Sequence, residues 1–444
     1  MNKRIVILGA AESGTGAAIL AQAKGFSVFV SDRGTIQEKY RNELTSRGIG
    51  FEEGKHSEAQ ILSAHEIIKS PGIPENAALV LKAKAQNIPV ISELEFAARY
   101  TNAKKICITG SNGKTTTTMM VWHILKSAGV NVGLAGNVGK SFARQVAEND
   151  FDVYVIEVSS FQLDGMFNFK ADTAILLNIT PDHLDRYDEI FQNYIDSKFR
   201  IIQNQTEKDN FIYCADDEVL ASELLKRDIK AQKFPFTIKN NPAQAGFLNQ
   251  NLLTINTDNM LFEMDTNELP LGGTHNHYNS LAAGIMGKLN DIRNEELKKS
   301  FQSFEGVEHR FEKYIKVGGI RFINDSKATN VNSTWYALQS VDTKVVLIMG
   351  GVDHDNDYGA LKDLVRTKVK AIVCLGLDNS RIRDAFIGMT EIHETSSMND
   401  AVRKAYRLAD EGDTVLLSPA CKSFDLFTNF EDRGLKFKEA VREL

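Results

Sequence analysis

The sequence predicts an α/β chain of three domains: a Rossmann-like N-terminal domain, a central P-loop-type ATPase domain on a mostly parallel sheet, and a Rossmann-like C-terminal domain. Three observations carry this. Short apolar runs alternate with helical segments along all 444 residues. A Gly-containing turn follows an apolar run twice, as GAAESGTGAA after Arg4–Leu8 and as GSNGKTTTT after Ile106–Ile108. The runs DVYVIEVSS and TAILLNIT are apolar almost throughout, as strands covered on both faces are.

The first segment reads strand 4–8, turn, helix 16–24, then a strand over 27–31 that ends at Asp32. This is a βαβ opening, although the turn lacks the GxGxxG dinucleotide fingerprint. A further strand over 65–69 runs into the loop SPGIP. After ISELEFAARY the pattern restarts, which sets a boundary near residue 95, with domains expected over 1–95, 96–306 and 307–444. In the middle segment an alternation over 252–264 suggests a hairpin, and a helix is expected from about His275. The last segment supplies the strands IRFINDS, KVVLIMGG, AIVCLG and DTVLLSP.

Composition narrows the class. Charged residues make up 25% and hydrophobic ones 43%, an ordinary globular balance. A net charge of −6 argues against a nucleic-acid partner, which would favour a basic face. Four scattered cysteines without a CxxC pair suggest neither a disulfide framework nor a zinc site. The start MNKRIVILGAAESG does not read as a signal peptide, and no run of about 18 apolar residues offers a spanning helix. The expectation is a cytoplasmic monomer with no membrane insertion.

GSNGKTTTT lies between a strand and a helix, where backbone N–H groups and the helix N-terminus face an anion. Gly110, Ser111, Asn112 and Gly113 would wrap the phosphates. Lys114 would reach the β- and γ-phosphates, and Thr115 or Thr116 could ligate Mg²⁺. The spacing is GxxGKT rather than GxxxxGK[ST]. Glu157 ends an apolar strand, where such a site places its metal carboxylate, or where a strand-end charge is simply solvated. In EIFQNYIDSKFRIIQN, Lys198 shares a helical stripe with Phe191, Tyr194, Ile195 and Ile202. A lysine there can snorkel to the surface; if desolvated, it becomes a neutral nucleophile able to capture CO₂ as a carbamate. His183, after a strand end in TPDHLDRY, is a loop polar residue or a Mg²⁺ ligand.

GSNGKTTTT, EVSSFQLD, NITPDHLDRY, THNHYNSLAA, HRFE, NDSKATN and LLSPACKSFDLFTNFEDRG occur in that order, and together they resemble the Mur ligase family of ATP-dependent amide-bond synthetases. The resemblance covers essentially the whole chain. It implies ATP and Mg²⁺, with two metal sites, and a carbamylated Lys198. UDP-N-acetylmuramoyl-L-alanine and D-glutamate would be the substrates, joined through an acyl phosphate and a tetrahedral intermediate. By resemblance, Lys114, Thr115 and Thr116 grip ATP, while Thr115, Glu157, His183 and Lys198 hold metal. Asn137 in AGNVG contacts the muramoyl substrate and counts with Lys114, His183 and Lys198 as catalytic. Asn276 and Asn279 face the adenine, and Arg310, Asp325 and Lys327 reach the ATP. Thr329, His354, Ser423, Phe424 and Phe430 line the D-glutamate site, and Ser13, Gly14, Thr15, Asp32, Arg33 and Ser70 the uridine-diphosphate pocket. Read alone, Asn276 could cap a helix, Phe424 and Phe430 could be core, Asp325 and Lys327 a surface pair, and Asp32 the ribose carboxylate of an NAD enzyme. Two positions depart from the family pattern. His354 stands where the family has Lys or Arg, and AAESGTGAA is unusually polar.

Overall fold

A computed structural model describes residues 3–257, 260–353 and 355–444. The first domain is a five-stranded parallel sheet of β1 (Arg4–Leu8), β2 (Ser27–Ser31), β3 (Gly50–Glu52), β4 (Glu66–Lys69) and β5 (Val90–Ile91), in the order β3-β2-β1-β4-β5. That is a doubly wound order whose direction reverses between β1 and β4, so the crevice opens at their carboxyl ends. It forms without the GxGxxG signature. Close approach is still demanded of glycine: a Cβ on Gly14 would lie 1.8 Å from the Gly9 carbonyl oxygen. The first helix, Glu12–Ala23, begins four residues earlier than the sequence reading places it, so Ser13, Gly14 and Thr15 form its first turn.

The central sheet comprises β6 (Lys104–Thr109), β7 (Val132–Gly136), β8 (Val153–Glu157), β9 (Thr173–Leu176), β10 (Asn210–Cys214), β11 (Gln232–Phe236), β12 (Gly246–Asn249), β13 (Leu252–Thr257) and β14 (Met260–Asp265). The order is β14-β13-β12-β11-β10-β9-β6-β8-β7, parallel except for the antiparallel edge pairs that β13 makes with β12 and β14. β8 and β9 are buried along their lengths, as their unbroken apolar runs require. The C-terminal sheet is β15 (Glu312–Val317), β16 (Ile320–Asn324), β17 (Val345–Met349), β18 (Val369–Leu375), β19 (Glu391–Thr395) and β20 (Thr414–Leu417), ordered β15-β16-β20-β17-β18-β19. Apolar clusters cover both of its faces.

The chain separates into two compact units, Met1–Glu268 with Tyr278–Phe304, and Leu269–His277 with Glu305–Leu444. The first and central domains therefore share one unit. Residues 92–97, where the sequence reading sets its first boundary, are buried rather than an exposed linker. Their two carboxylates act as caps. Glu95 accepts the backbone N–H groups of Phe167, Asn168 and Phe169. Glu93 accepts those of Phe142 (3.3 Å) and Ala143 (2.8 Å) at the start of the helix Phe142–Glu148. Burial pushes the Glu93 carboxyl up to about 7.

A carboxyl raised in the folded state stabilises the fold fully below its unfolded value and loses that contribution as pH climbs through 7. Urea unfolding at pH 5 and pH 8 should therefore show wild type losing roughly 3 kcal/mol against Glu93→Gln, an isostere of the protonated form. A pH-independent difference between the two proteins rules this role out.

Candidate active site

The site is assembled at the carboxyl ends of β6, β8 and β9. After Thr109 the chain turns through Gly110 (φ 151°) and Gly113 (φ 83°) into the helix Lys114–Ser127. Gly113 is the left-handed N-cap, and a Cβ there would lie 2.6 Å from Asn279 Oδ1. The loop is braced from the segment after β9. Asn178 accepts the Asn112 N–H through Oδ1 (2.8 Å) and donates through Nδ2 to the Asn112 carbonyl (3.1 Å). Ser111 Oγ donates to the Thr180 carbonyl and accepts the Thr180 N–H, both at 2.9 Å. Thr115 and Thr116 are buried in the first turn of the helix, and Thr117 Oγ1 donates to Asn279 Oδ1 at 3.1 Å.

One carbonyl oxygen collects two lysines. Gly110 O accepts from Lys114 Nζ and from Lys198 Nζ, each at 2.8 Å. Lys198, on the helix Phe191–Phe199, is 1% exposed, so the snorkelling alternative fails. Burial first, and Lys114 second, hold its pKa well below the ordinary lysine value. Glu157 pairs in register with Ile108, beside the start of the loop. It is 1% exposed, and Asn137 Nδ2 donates to its Oε1 at 2.9 Å. Its Oε2 is buried with no hydrogen-bond partner among the described residues. An unpartnered buried carboxylate oxygen beside a phosphate-binding turn fits a divalent cation. His183 sits at φ 55°, with its ring 5.1 Å from that of Phe161 and Nε2 3.6 Å from Asp182. The structure thus gathers Gly110–Thr116, Asn137, Glu157, Lys198 and Asn279 around one loop.

The first-domain residues also converge, at the ends of β1, β2 and β4. Thr15 Oγ1 donates to the Ala10 carbonyl. Asp32 accepts the Ala10 N–H (2.7 Å) and the Gly34 N–H (2.8 Å), so its carboxylate shapes the turn. Arg33 is exposed beside it. Ser70 follows β4, and its Oγ is buried without a partner among the described residues.

The second unit holds the remaining residues. Asp325 is no surface partner of Lys327: it is buried, accepting the Phe311 N–H (3.0 Å) and the Ser418 hydroxyl (2.9 Å). Burial raises its carboxyl to about 7. Arg310 lies between two left-handed residues, His309 (φ 62°) and Phe311 (φ 43°). Lys327 Nζ sits 3.6 Å from the centre of the Phe430 ring, and Thr329 N–H donates to the Lys327 carbonyl. Ser423 is buried, whereas Phe424 is 67% exposed and so is not core. Asn276 is the third residue of the helix Thr274–Lys288 and donates to the Gly272 carbonyl, so it is not a cap. Asn276 and Asn279 fall in different units. His354 lies outside the described residues. Glu308, His309 and Glu312 lie close together, and Lys438 Nζ, 2.7 Å from a carboxylate oxygen of each glutamate, offsets part of their charge.

Sequence reasoning missed Asn178 and Tyr194 as polar parts of the site. Tyr194 counts as an apolar stripe residue by spacing, yet its hydroxyl lies 3.1 Å from Ser111 Oγ. Asn178 could have been found as the first polar residue after the apolar run of β9. Buried Arg433 also escaped notice. It donates to the Ser326, Cys421 and Gly350 carbonyls and ties three loops of the second unit together.

Family comparisons match the Mur ligase MurD-like N-terminal domain over residues 3–92, the Mur ligase middle domain over 108–287, and the Mur ligase glutamate ligase domain over 309–421. The UDP-N-acetylmuramoylalanine--D-glutamate ligase of Bacteroides fragilis is 57% identical over the full length of both chains. The protein of that name from Salinibacter ruber is 40% identical over 99% of this chain and 98% of its own. Among solved structures, UDP-N-acetylmuramate-alanine ligase MurC of Thermotoga maritima aligns with a TM-score of 0.65 at 18% identity, covering 100% of both chains. The MurF ligase of Thermotoga maritima in complex with ADP aligns with a TM-score of 0.62 at 14% identity, over 95% of this chain and 97% of its own. At those identities the two structures show the fold.

Gly113→Ala should weaken binding of Mg²⁺-ATP at least about tenfold, because a side chain at φ 83° is strained and would strike Asn279. Calorimetric titration alongside a melting curve checks it; undiminished affinity in a folded variant removes the loop from nucleotide binding.

Proposed function

The chain belongs to the Mur ligase family, and we propose that it joins D-glutamate to UDP-N-acetylmuramoyl-L-alanine with ATP, releasing ADP and phosphate, in peptidoglycan precursor synthesis. Full-length identity to ligases of that name supports the substrate pair. The observation that carries the chemistry is the Gly110 carbonyl with its two lysines. Two ammonium groups on one oxygen repel each other, which favours release of a proton from the more buried one. Lys198 is the more buried, and its burial drives its pKa well below the ordinary lysine value.

A neutral Lys198 amine can attack the carbon of CO₂. The N–C bond forms, the nitrogen loses a proton, and the product is a carbamate anion. This replaces a repulsive cation with an anion that attracts Lys114. With Glu157, His183 and the Thr115 hydroxyl, that carbamate would hold Mg²⁺, which we read as two ions. Bound there, Mg²⁺ would neutralise charge on the ATP phosphates.

The remaining work falls to the chain. The N–H groups of the loop and the Lys114 ammonium orient the triphosphate. Asn137, held by Glu157, is read as positioning the muramoyl substrate. The alanyl carboxylate attacks the γ-phosphorus; the acyl phosphate forms as ADP leaves. The D-glutamate amine then attacks the acyl carbon, and the tetrahedral intermediate expels phosphate. Hydroxide would be a poor leaving group, and phosphate is a good one. We read Thr329, Ser423, Phe424 and Phe430 in the second unit as the D-glutamate side. We read the reaction as cytoplasmic, where UDP-linked and ATP substrates are at hand.

Phosphate release with ATP, Mg²⁺ and UDP-N-acetylmuramoyl-L-alanine should depend on D-glutamate in a panel of D- and L-amino acids, with an amide product of matching mass. Dependence on another amino acid would reassign the substrate and keep the chemistry. Lys198→Ala should lose at least about 100-fold in kcat, and added acetate should restore part of it by supplying the missing carboxylate. Near-wild-type activity in Lys198→Ala would eliminate the carbamate.

A further inference from the structure

The polar turn of the first domain poses an electrostatic conflict. Glu12 is the first residue of the helix Glu12–Ala23, directly ahead of Ser13, Gly14 and Thr15. A carboxylate there suits the positive end of the helix. It would also repel a diphosphate drawn to the same N–H groups. The structure shows where that charge is answered. Arg144, from the helix Phe142–Glu148 of the central domain, donates Nε–H to Glu12 Oε1 at 3.0 Å, and the Ser141 N–H reaches the same oxygen at 3.1 Å. Its side chain is 8% exposed. Its two terminal nitrogens grip Glu43 at 2.6 and 2.8 Å, and one also meets Glu148 at 3.3 Å. Hydrogen bonding to Glu43 raises the Arg144 pKa, so the cation is permanent.

The two helices can approach this closely because residue 16 is glycine. A Cβ there would lie 1.9 Å from Ser141 Oγ. The three carboxylates around Arg144 are not equivalent. Glu43 and Glu148 have a second cation in Arg47, at 3.7 and 3.5 Å. Among the described residues Glu12 forms its ion pair with Arg144. Glu93, buried and bonded to the start of the helix Phe142–Glu148, is pushed up first by burial and also by the charge of Glu12.

On the reading that the first domain holds the UDP-linked substrate, we infer that Arg144 is a positioning residue for that substrate, cancelling the Glu12 charge so that the turn accepts a diphosphate. The central domain thereby sets the affinity of the first for its nucleotide.

The test uses the full chain and phosphate release, with KM taken separately for UDP-N-acetylmuramoyl-L-alanine and for ATP. Arg144→Met should raise the KM for the UDP substrate about tenfold, as one uncovered charge near a diphosphate predicts. The kcat and the KM for ATP should move less than about twofold. Glu12→Gln alone should stay near wild type, and Arg144→Met with Glu12→Gln should return to within about threefold of it. A merely structural contact would move kcat and both KM values together, so the discriminating readout is the KM for the UDP substrate alone. A double variant no better than Arg144→Met, or a parallel loss in ATP KM and kcat, overturns the inference while wild-type activity leaves the reaction intact. Should Arg144→Met not fold, Arg144→Lys replaces it in the same comparison, since one ammonium cannot serve Glu12 and both oxygens of Glu43; rescue by Glu12→Gln is again expected, and its absence is again fatal. Wild type without release dependent on the UDP substrate sinks the underlying reading and the inference with it.

Discussion

A single carbonyl oxygen organises the catalytic region. Gly110 O receives Lys114 and Lys198 together, and two ammonium groups on one acceptor oppose each other, the more so because Lys198 is buried. The resolution is built into the surroundings. Lys114 opens the helix Lys114–Ser127 after a Gly-containing turn, where an anionic ligand would compensate it. Lys198 donates to Thr109 Oγ1 and the Gly110 carbonyl and lies over the face of Tyr194, with the Asp182, Glu157 and Asp164 carboxylates partly offsetting its burial. Burial shifts the balance toward the neutral amine, which is chemically competent in a way a surface lysine is not. Glu157, with one oxygen taken by Asn137 and the other unpartnered, is the complementary half.

That geometry depends on precise placement of the strand ends, and the braces are polar. Asn178 and Ser111 tie the phosphate loop to the chain after β9, using both donors and acceptors of each side chain. Glu93 and Glu95 fasten the first domain to the central one by accepting five backbone N–H groups between them. Buried carboxylates are a costly fastener, tolerable because each meets N–H groups that would otherwise be buried unpaired. The first and central domains therefore fall in one compact unit. Arg144 belongs to the same pattern, although its partners are carboxylates.

Much was legible beforehand. Alternating apolar runs and turns gave the α/β class. GSNGKTTTT reads as a turn between a strand and a helix, and the structure has that turn between β6 and the helix Lys114–Ser127. The stripe of EIFQNYIDSKFRIIQN put Lys198 on a buried face, where the structure finds it. Other features were not readable. Helical spacing cannot tell that Tyr194 turns its hydroxyl to Ser111. Nor can it show that Asp325 is swallowed by Phe311 and Ser418 instead of meeting Lys327. The polar character of AAESGTGAA looked like a departure in the pocket itself; the partner that explains it, Arg144, lies 132 residues away.

Sequence alone determined the order of elements, the phosphate-binding turn and the family, because these are written in short contiguous stretches governed by local periodicity, glycine conformation and motif order. Tertiary structure decided the protonation and the partners. Whether Lys198 is charged depends on how much water is excluded around it and on Lys114, 84 positions earlier, sharing its acceptor. Whether Glu12 repels or permits an anion depends on a cation delivered by another domain. Electrostatic energy is a function of distance and burial, and neither is local in the chain.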